Sequence, residues 1–233
     1  MKDQSEIIKE NLQIIRNRVE IAAKRSNRVA KAITILAVTK YVTLDFMRAA
    51  IEAGVKCVGE NKVQDAKKKF FQIGPIVDWH MIGHLQTNKA RQAAAIFSMI
   101  QTIDSKKIAD AIDKEAQRLD RCIDVLVEVN ISQDENKFGI SPESTRQLVD
   151  YVAQKEYLKI RGLMAMAPYV EQVELARPYF RSLNNLFFDI QAKQGYGKQW
   201  DTLSMGMTND FEIAIEEGST LIRVGTGLFN QAL

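Results

Sequence analysis

The sequence predicts an α/β fold, a single (β/α)8 TIM barrel, and three observations carry that expectation. Eight short apolar segments of strand composition alternate strictly with helical segments, the pattern of a parallel sheet wrapped by helices. The seventh and eighth run into small-residue loops, within Thr202-Leu-Ser-Met-Gly-Met-Thr-Asn-Asp210 and Leu221-Ile-Arg-Val-Gly-Thr-Gly227. There is also an internal echo. Ala50-Ile-Glu-Ala-Gly-Val, leading to Val58-Gly59, matches Ala214-Ile-Glu-Glu-Gly-Ser, leading to Val224-Gly225. An open doubly wound sheet is the alternative, and the count of strands favours the barrel.

With 233 residues, 46% of them hydrophobic, the chain can bury one substantial core. No segment rich in proline, glycine or serine divides it. One domain over residues 1–233 is expected, with an N-terminal helix over 1–25 and the barrel over 33–230.

In chain order, Ile8, Leu12, Ile15, Val19 and Ala22 make one apolar stripe on a helix over 3–25, which Ser26-Asn27-Arg28 ends. Residues 33–38 are apolar on both faces, as in a buried parallel strand. Thr43 then caps a helix through Ala53, with Gly54 as its stop. Strands follow at 55–58, 77–82, 98–103, 123–129 and 158–164. Helices run to about Gln72, from Gln86 to Ala95, and from Asp104-Ser105 to Leu119. Asn130 to Ile140 is a longer loop, and Ser141-Pro142 opens a helix with proline where it is tolerated. A long helix is expected from Glu171 to Lys193, then a turn bracketed by Gly195 and Gly197 into strand seven, 200–203. Asn209 and Glu212 have capping-box spacing for the next helix, to Glu217. Strand eight is 221–224. Little chain then remains for a last helix, so the N-terminal helix is expected to cover that side.

The bulk numbers exclude several functions. The formal charge is only +3, and the densest basic run, Lys67-Lys68-Lys69, lacks interleaved aromatics. It reads as a solvated helix face, with no nucleic acid as partner. No apolar run approaches a membrane span and the N-terminus has no targeting character, so a cytoplasmic protein is expected. Cys57 and Cys122 lie in apolar surroundings and are expected to be buried free thiols. His80 and His84 have metal-pair spacing only on a helix; here a strand and a glycine turn separate them, and no metal is expected. The eight methionines, Met164, Met166, Met205 and Met207 among them, read as packing near the mouth.

Barrels collect their reactive residues at the C-terminal strand ends. Those ends are Lys40, Asn61, His84, Asp104, Asn130, Met166, Ser204 and Thr226. The small-residue loops follow strands seven and eight, neighbours in this fold. Backbone N–H groups there can close around an anion, and phosphate is the natural one. Lys40 follows a buried strand, so its amine stands at the mouth. In apolar surroundings near another cation, such an amine becomes nucleophilic and can form a Schiff base. A lysine and a phosphate cradle together are what pyridoxal phosphate requires. Alternation aims Arg223 and Gly225 the same way. Arg223 faces either a ligand or a salt-bridge partner on a neighbouring strand. Asn61 could equally be a helix cap, and Ser204 a turn hydrogen bond.

Leu36-Ala-Val-Thr-Lys40, Gly59-Glu-Asn61, Trp79-His-Met-Ile-Gly-His-Leu-Gln-Thr-Asn-Lys89, Arg161-Gly-Leu-Met164, Leu203-Ser-Met-Gly-Met207 and Ile222-Arg-Val-Gly-Thr226 resemble, in order, the pyridoxal phosphate homeostasis proteins. The resemblance implies one fold-type-III barrel like that of alanine racemase, binding pyridoxal 5′-phosphate. It implies a Schiff base on Lys40, with Asn61 near the cofactor's hydroxyl edge and Arg223 at its pyridine nitrogen. Ser204, Gly225 and Thr226 would hold the phosphate, with Met205 and Gly206 in the same stretch. Many members carry a proline shortly after the lysine, where this chain has Tyr41-Val42-Thr43, so the start of the next helix is open. An arginine at the ring nitrogen disfavours its protonation and makes a poor electron sink. Racemases of this fold add a second domain that supplies a proton donor. A monomer in vitamin B6 and amino-acid homeostasis, with apo-enzymes as recipients and no efficient turnover, is therefore expected. The alternative is a racemase-like or aldolase-like enzyme with its acid opposite Lys40, His84 or Tyr41 being first choices.

Overall fold

The computed structural model describes residues 4–194 and 199–230. Eight parallel strands close into a barrel in sequence order, β1 to β8. They are β1 (Thr34–Val38), β2 (Cys57–Glu60), β3 (Asp78–Met81), β4 (Met99–Ile103), β5 (Ile123–Glu128), β6 (Leu158–Met164), β7 (Thr202–Met207) and β8 (Leu221–Val224). Around them lie α1 (Gln4–Arg25), α2 (Leu44–Glu52), α3 (Val63–Ile73), α4 (Ala90–Ile96), α5 (Lys106–Arg118), α6 (Pro142–Ala153), α7 (Arg177–Gln194), α8 (Phe211–Glu216) and the single turn α9 (Thr226–Phe229).

Alternation along the strands divides the core in two. Outward residues such as Ala37, Val58, Val125, Val127, Met205 and Val224 join the helices in one large apolar layer. Inward residues fill the bore: Leu36, Cys57 and Leu221 on one side, Met99, Leu126 and Met164 on the other. α1 buries its predicted stripe and closes the side that α9 is too short to cover. Its Asn11 donates to the carbonyls of Leu228 and Asn230. Its Arg18 binds Glu212 at 2.7 Å and lies over the Phe211 ring of α8. Below the barrel, at the N-terminal strand ends, Arg161 bridges Asp124 and Asp201 beside a cavity of about 520 Å³. That face stabilises the barrel.

Several details differ from the sequence reading. β2 is displaced to include Gly59 and Glu60, and Gly59 lies in the bore where a Cβ would meet the Leu36 side chain at 2.5 Å. β7 runs on to Met207, so Ser204, Met205 and Gly206 belong to a buried strand instead of a loop. Gly206 adopts φ +89°, and its missing Cβ leaves room for Ala214 of α8. The capping box does not form: Asp210 is the cap residue of α8, and Glu212 binds Arg18 instead. α7 begins at Arg177 after a short 3-10 turn, and α4 also follows one. Thr43 precedes α2 as expected, without a side-chain cap bond. Cys57 is buried, whereas Cys122 is exposed in the turn ahead of β5. Lys69 is not solvated like Lys67 and Lys68; it forms a buried ion pair. The glycine turn at 195–197 lies outside the described residues.

Candidate functional site

The C-terminal ends of the strands gather most of the predicted residues. Lys40 stands exposed in the turn after β1, between buried Thr39 and Tyr41, whose φ is +64°. Glu60, Gly59 and Lys69 hold Thr39 from β2 and α3, besides the Val42 N–H that donates to its carbonyl within the turn. Its hydroxyl donates to Glu60 Oε1 at 2.7 Å, and its N–H donates to the Gly59 carbonyl at 3.0 Å. Its carbonyl accepts from Lys69 Nζ at 2.6 Å, while Lys69 also binds Glu60 Oε1 at 2.7 Å. The base of Lys40 is therefore tied to β2 and α3. Half-buried Asn61 follows β2, and Gly83 packs on its main chain so closely that a Cβ would meet the Asn61 carbonyl at 2.4 Å.

Arg223 lies within the bore on β8, one strand from Lys40, with Leu36 of β1 in register beside it. It donates to Ser204 Oγ at 2.6 Å and to the Ala165 carbonyl at 2.9 Å. Ser204 donates to Gln101 Oε1 at 2.7 Å, and Gln101 Nε2 lies 2.9 Å from His80 Nδ1. A polar chain therefore crosses the bore from β8 to β3. Burial lowers the Arg223 pKa to about 10, opposed by Glu128 and Asp210, so the guanidinium stays charged at neutral pH. Burial holds His80 down at about 4, so it is neutral. The Ser204 hydroxyl is occupied within this chain, and the Met205 side chain faces the helix layer.

The loops after β7 and β8 do lie side by side. Gly227 N–H donates to Thr208 Oγ1 at 3.3 Å, and a Cβ on Gly227 would meet Thr208 Cγ2 at 2.7 Å. Thr226 is exposed and Gly225 partly so. On the far rim, His84 Nδ1 lies 3.2 Å from Asp104, and its ring stacks on Phe138 with centroids 4.2 Å apart. Asn130 mainly organises its own loop, donating to the carbonyls of Asp134 and Lys137. A groove of about 570 Å³ opens beside Asn61 and His84. No three potential metal-binding side chains cluster among the described residues.

One residue escaped the sequence reading. Glu128 ends β5, is 3% exposed, and its Oε2 has no hydrogen-bond partner among the described residues. The available signal was alternation, which aims Glu128 inward with Leu126; within Val-Glu-Val-Asn130 it read only as strand. Burial, then Asp104, raises its carboxyl to about 7 from an ordinary 4.5, with Arg223 opposing. Between those values the folded chain holds a proton that the unfolded chain has lost, so stability falls as pH rises through this window. The full loss is roughly 3 kcal/mol, complete above about pH 7. His80 acts in the opposite sense, adding stability between about pH 4 and 6.5, so only a comparison at matched pH isolates Glu128. Urea titrations of Glu128→Gln should match wild type near pH 4 and exceed it by about 2–3 kcal/mol near pH 8. A constant difference across that range would show that Glu128 does not titrate there.

The family model of the alanine racemase N-terminal domain matches residues 6–232. A pyridoxal phosphate homeostasis protein of Aquifex aeolicus is 38% identical over 223 residues, covering 95% of this chain and 97% of that protein. The structure of PipY from Synechococcus elongatus with PLP bound superposes with a TM-score of 0.83 at 30% identity, covering 96% of this chain and 100% of PipY. An alanine racemase of Clostridium difficile, at 14% identity and TM-score 0.73, shares the fold, and the chain covers 56% of it. With the barrel, its N-terminal helix and these matches along almost its whole length, the chain belongs to the alanine racemase N-terminal domain family and, within it, to the pyridoxal phosphate homeostasis proteins.

Proposed function

We propose that this protein binds pyridoxal 5′-phosphate as a Schiff base on Lys40 and serves intracellular vitamin B6 and amino-acid homeostasis. In this reading it is a cytoplasmic monomer that holds the cofactor and passes it to apo-enzymes, with no efficient turnover of its own. The observation that carries the reading is the mouth itself. An exposed lysine follows β1, and a buried, charged guanidinium lies on the neighbouring β8, beside two touching small-residue loops. The PLP-bound relative, with the same fold at 30% identity, supports the same ligand.

When bound, the cofactor supplies an electrophilic aldehyde and a conjugated ring. Lys40 is the anchor, and Asn61 lies next along the rim. Gly225, Thr226 and the chain after Gly206 hold the phosphate through main-chain N–H groups and the Thr226 hydroxyl. Ser204 acts through Arg223 by fixing its guanidinium. Arg223 meets the ring nitrogen and keeps it unprotonated, because a second positive charge beside a buried cation is costly. That arrangement favours holding the cofactor over carbanion chemistry.

Borohydride reduction after incubation with pyridoxal 5′-phosphate is expected to fix one cofactor on the peptide containing Lys40. Lys40→Ala should lose the label by at least about a hundredfold. A label that persists in Lys40→Ala, or no label on wild type, would sink the assignment. Transfer from the holo-protein to an apo-enzyme then tests the carrier role, and rapid α-proton exchange of added amino acids would instead mark a racemase-like enzyme.

A further inference from the structure

We propose that Glu128 is a ligand-contacting acid of the mouth, which carries a proton when the cofactor is bound and donates it in a hydrogen bond to an anionic oxygen at the ligand's ring end. The inference rests on the cofactor reading above. In the closed order of eight strands, β5 is diametrically opposite β1, so Glu128 faces the mouth from the side away from Lys40. The phosphate loops follow β7 and β8, two and three strands further round the barrel from Glu128.

Glu128 is an unusual group for this fold to leave as it is. Its inward neighbour on the strand, Leu126, packs with Met99 and Met164, and the carboxyl above them is nearly sealed from solvent. A buried carboxyl oxygen without a partner costs free energy, and folded proteins keep few such orphans. Two others occur among the described residues, and both have another place in the fold. Glu60 holds Lys69 and Thr39 through its other oxygen. Asn184 Oδ1 sits on α7 against Gly218, outside the bore. Glu128 alone of the three points into the mouth.

The surrounding charges decide its state. Arg223 faces it from β8, but that guanidinium already donates to Ser204 and Ala165. Asp104 faces it from the end of β4, itself paired with His84, and Asp210 acts on Arg223. Lys40 lies across the barrel, after β1. An ionised Glu128 would repel an anionic ligand, whereas its acid form offers an O–H donor where one oxygen lacks a partner. Cofactor entry therefore draws a proton from solvent onto Glu128 whenever the pH is above its free value, and the carboxylic acid then donates without transferring that proton. Above about pH 7, affinity falls up to tenfold per pH unit through this group.

The test is calorimetric titration of the full apo-protein with pyridoxal 5′-phosphate near pH 8, in two buffers of different ionisation enthalpy. Wild type, Glu128→Gln and Glu128→Ala are compared, with borohydride trapping on Lys40 as the control for binding. Other protons exchanged on binding are common to all three, so the difference in proton count is the readout. Glu128→Gln, which copies the shape of the acid form, should bind at least as tightly and take up close to one proton fewer. Glu128→Ala should bind about tenfold more weakly or worse, and inorganic phosphate should show no difference in proton count between wild type and Glu128→Gln. An unchanged proton count in Glu128→Gln, or undiminished affinity in Glu128→Ala, overturns the role of Glu128 while leaving the cofactor reading intact. Failure of wild type to bind or be trapped overturns both.

Discussion

Lys69→Met is expected to destabilise the protein by about 3–5 kcal/mol, the cost of leaving one partner of a buried ion pair uncompensated. Glu60 is fully buried, the Lys69 side chain is 13% exposed, and their contact is 2.7 Å. The methionine fills the lysine's space but leaves Glu60 with a single donor, the Thr39 hydroxyl. It also leaves the Thr39 carbonyl, one residue ahead of Lys40, with only the Val42 N–H as donor. Urea denaturation reads the first effect. The second should appear as slower reductive trapping at Lys40 under conditions where the variant is fully folded. Glu60→Gln combined with Lys69→Met removes both charges and should recover all but about 1–2 kcal/mol. If the single and double variants were equally unstable, packing around Lys69, not its charge, would be responsible.

Gly162→Ala should be at least as damaging, by about 4 kcal/mol or more. Gly162 pairs with Thr202 between β6 and β7 at φ +148°, and an added Cβ would stand 1.9 Å from the Thr202 carbonyl oxygen and 2.9 Å from Phe187. The obstacle is the neighbouring strand's main chain, so relief requires opening the β6–β7 pairing directly below Ser204 and Met164. Gly74→Ala provides the comparison. There φ is +75° with nothing within 4 Å, and only the backbone preference is lost, about 1–2 kcal/mol. Denaturant midpoints for the two variants should differ clearly. Equal midpoints would mean that the β6–β7 junction tolerates local displacement.

Much of the barrel was legible because strand and helix periods are local properties. β6 and β8 have the predicted bounds, and the α1 stripe is buried as expected. The main strand misplacements fall where glycine sits inside a strand. Gly59 and Gly206 read as loop glycines, yet both serve close packing within or against the barrel wall. Lys69 read as one of three solvated lysines because its partner Glu60 comes from a strand. The opposite error was made at Cys122, whose apolar neighbours begin only with β5. Ser204 reads as a phosphate-loop residue, whereas its hydroxyl lies in the bore and accepts from Arg223.

By itself the sequence determined the alternation of eight strands with helices, the lysine after the first strand and the small-residue loops after the last two. Each depends on residues close together in the chain, where period, glycine and charge act locally. Only the tertiary structure decided that Arg223 stands on the strand beside β1, which leads to Lys40, that Thr208 touches Gly227, and that Glu128 is buried without a partner for Oε2. Those facts arise from barrel closure, which joins β8 to β1 and aims inward side chains from distant parts of the chain at one another. Burial in that shared bore then sets the charge of each group, a property that no single stretch of sequence carries.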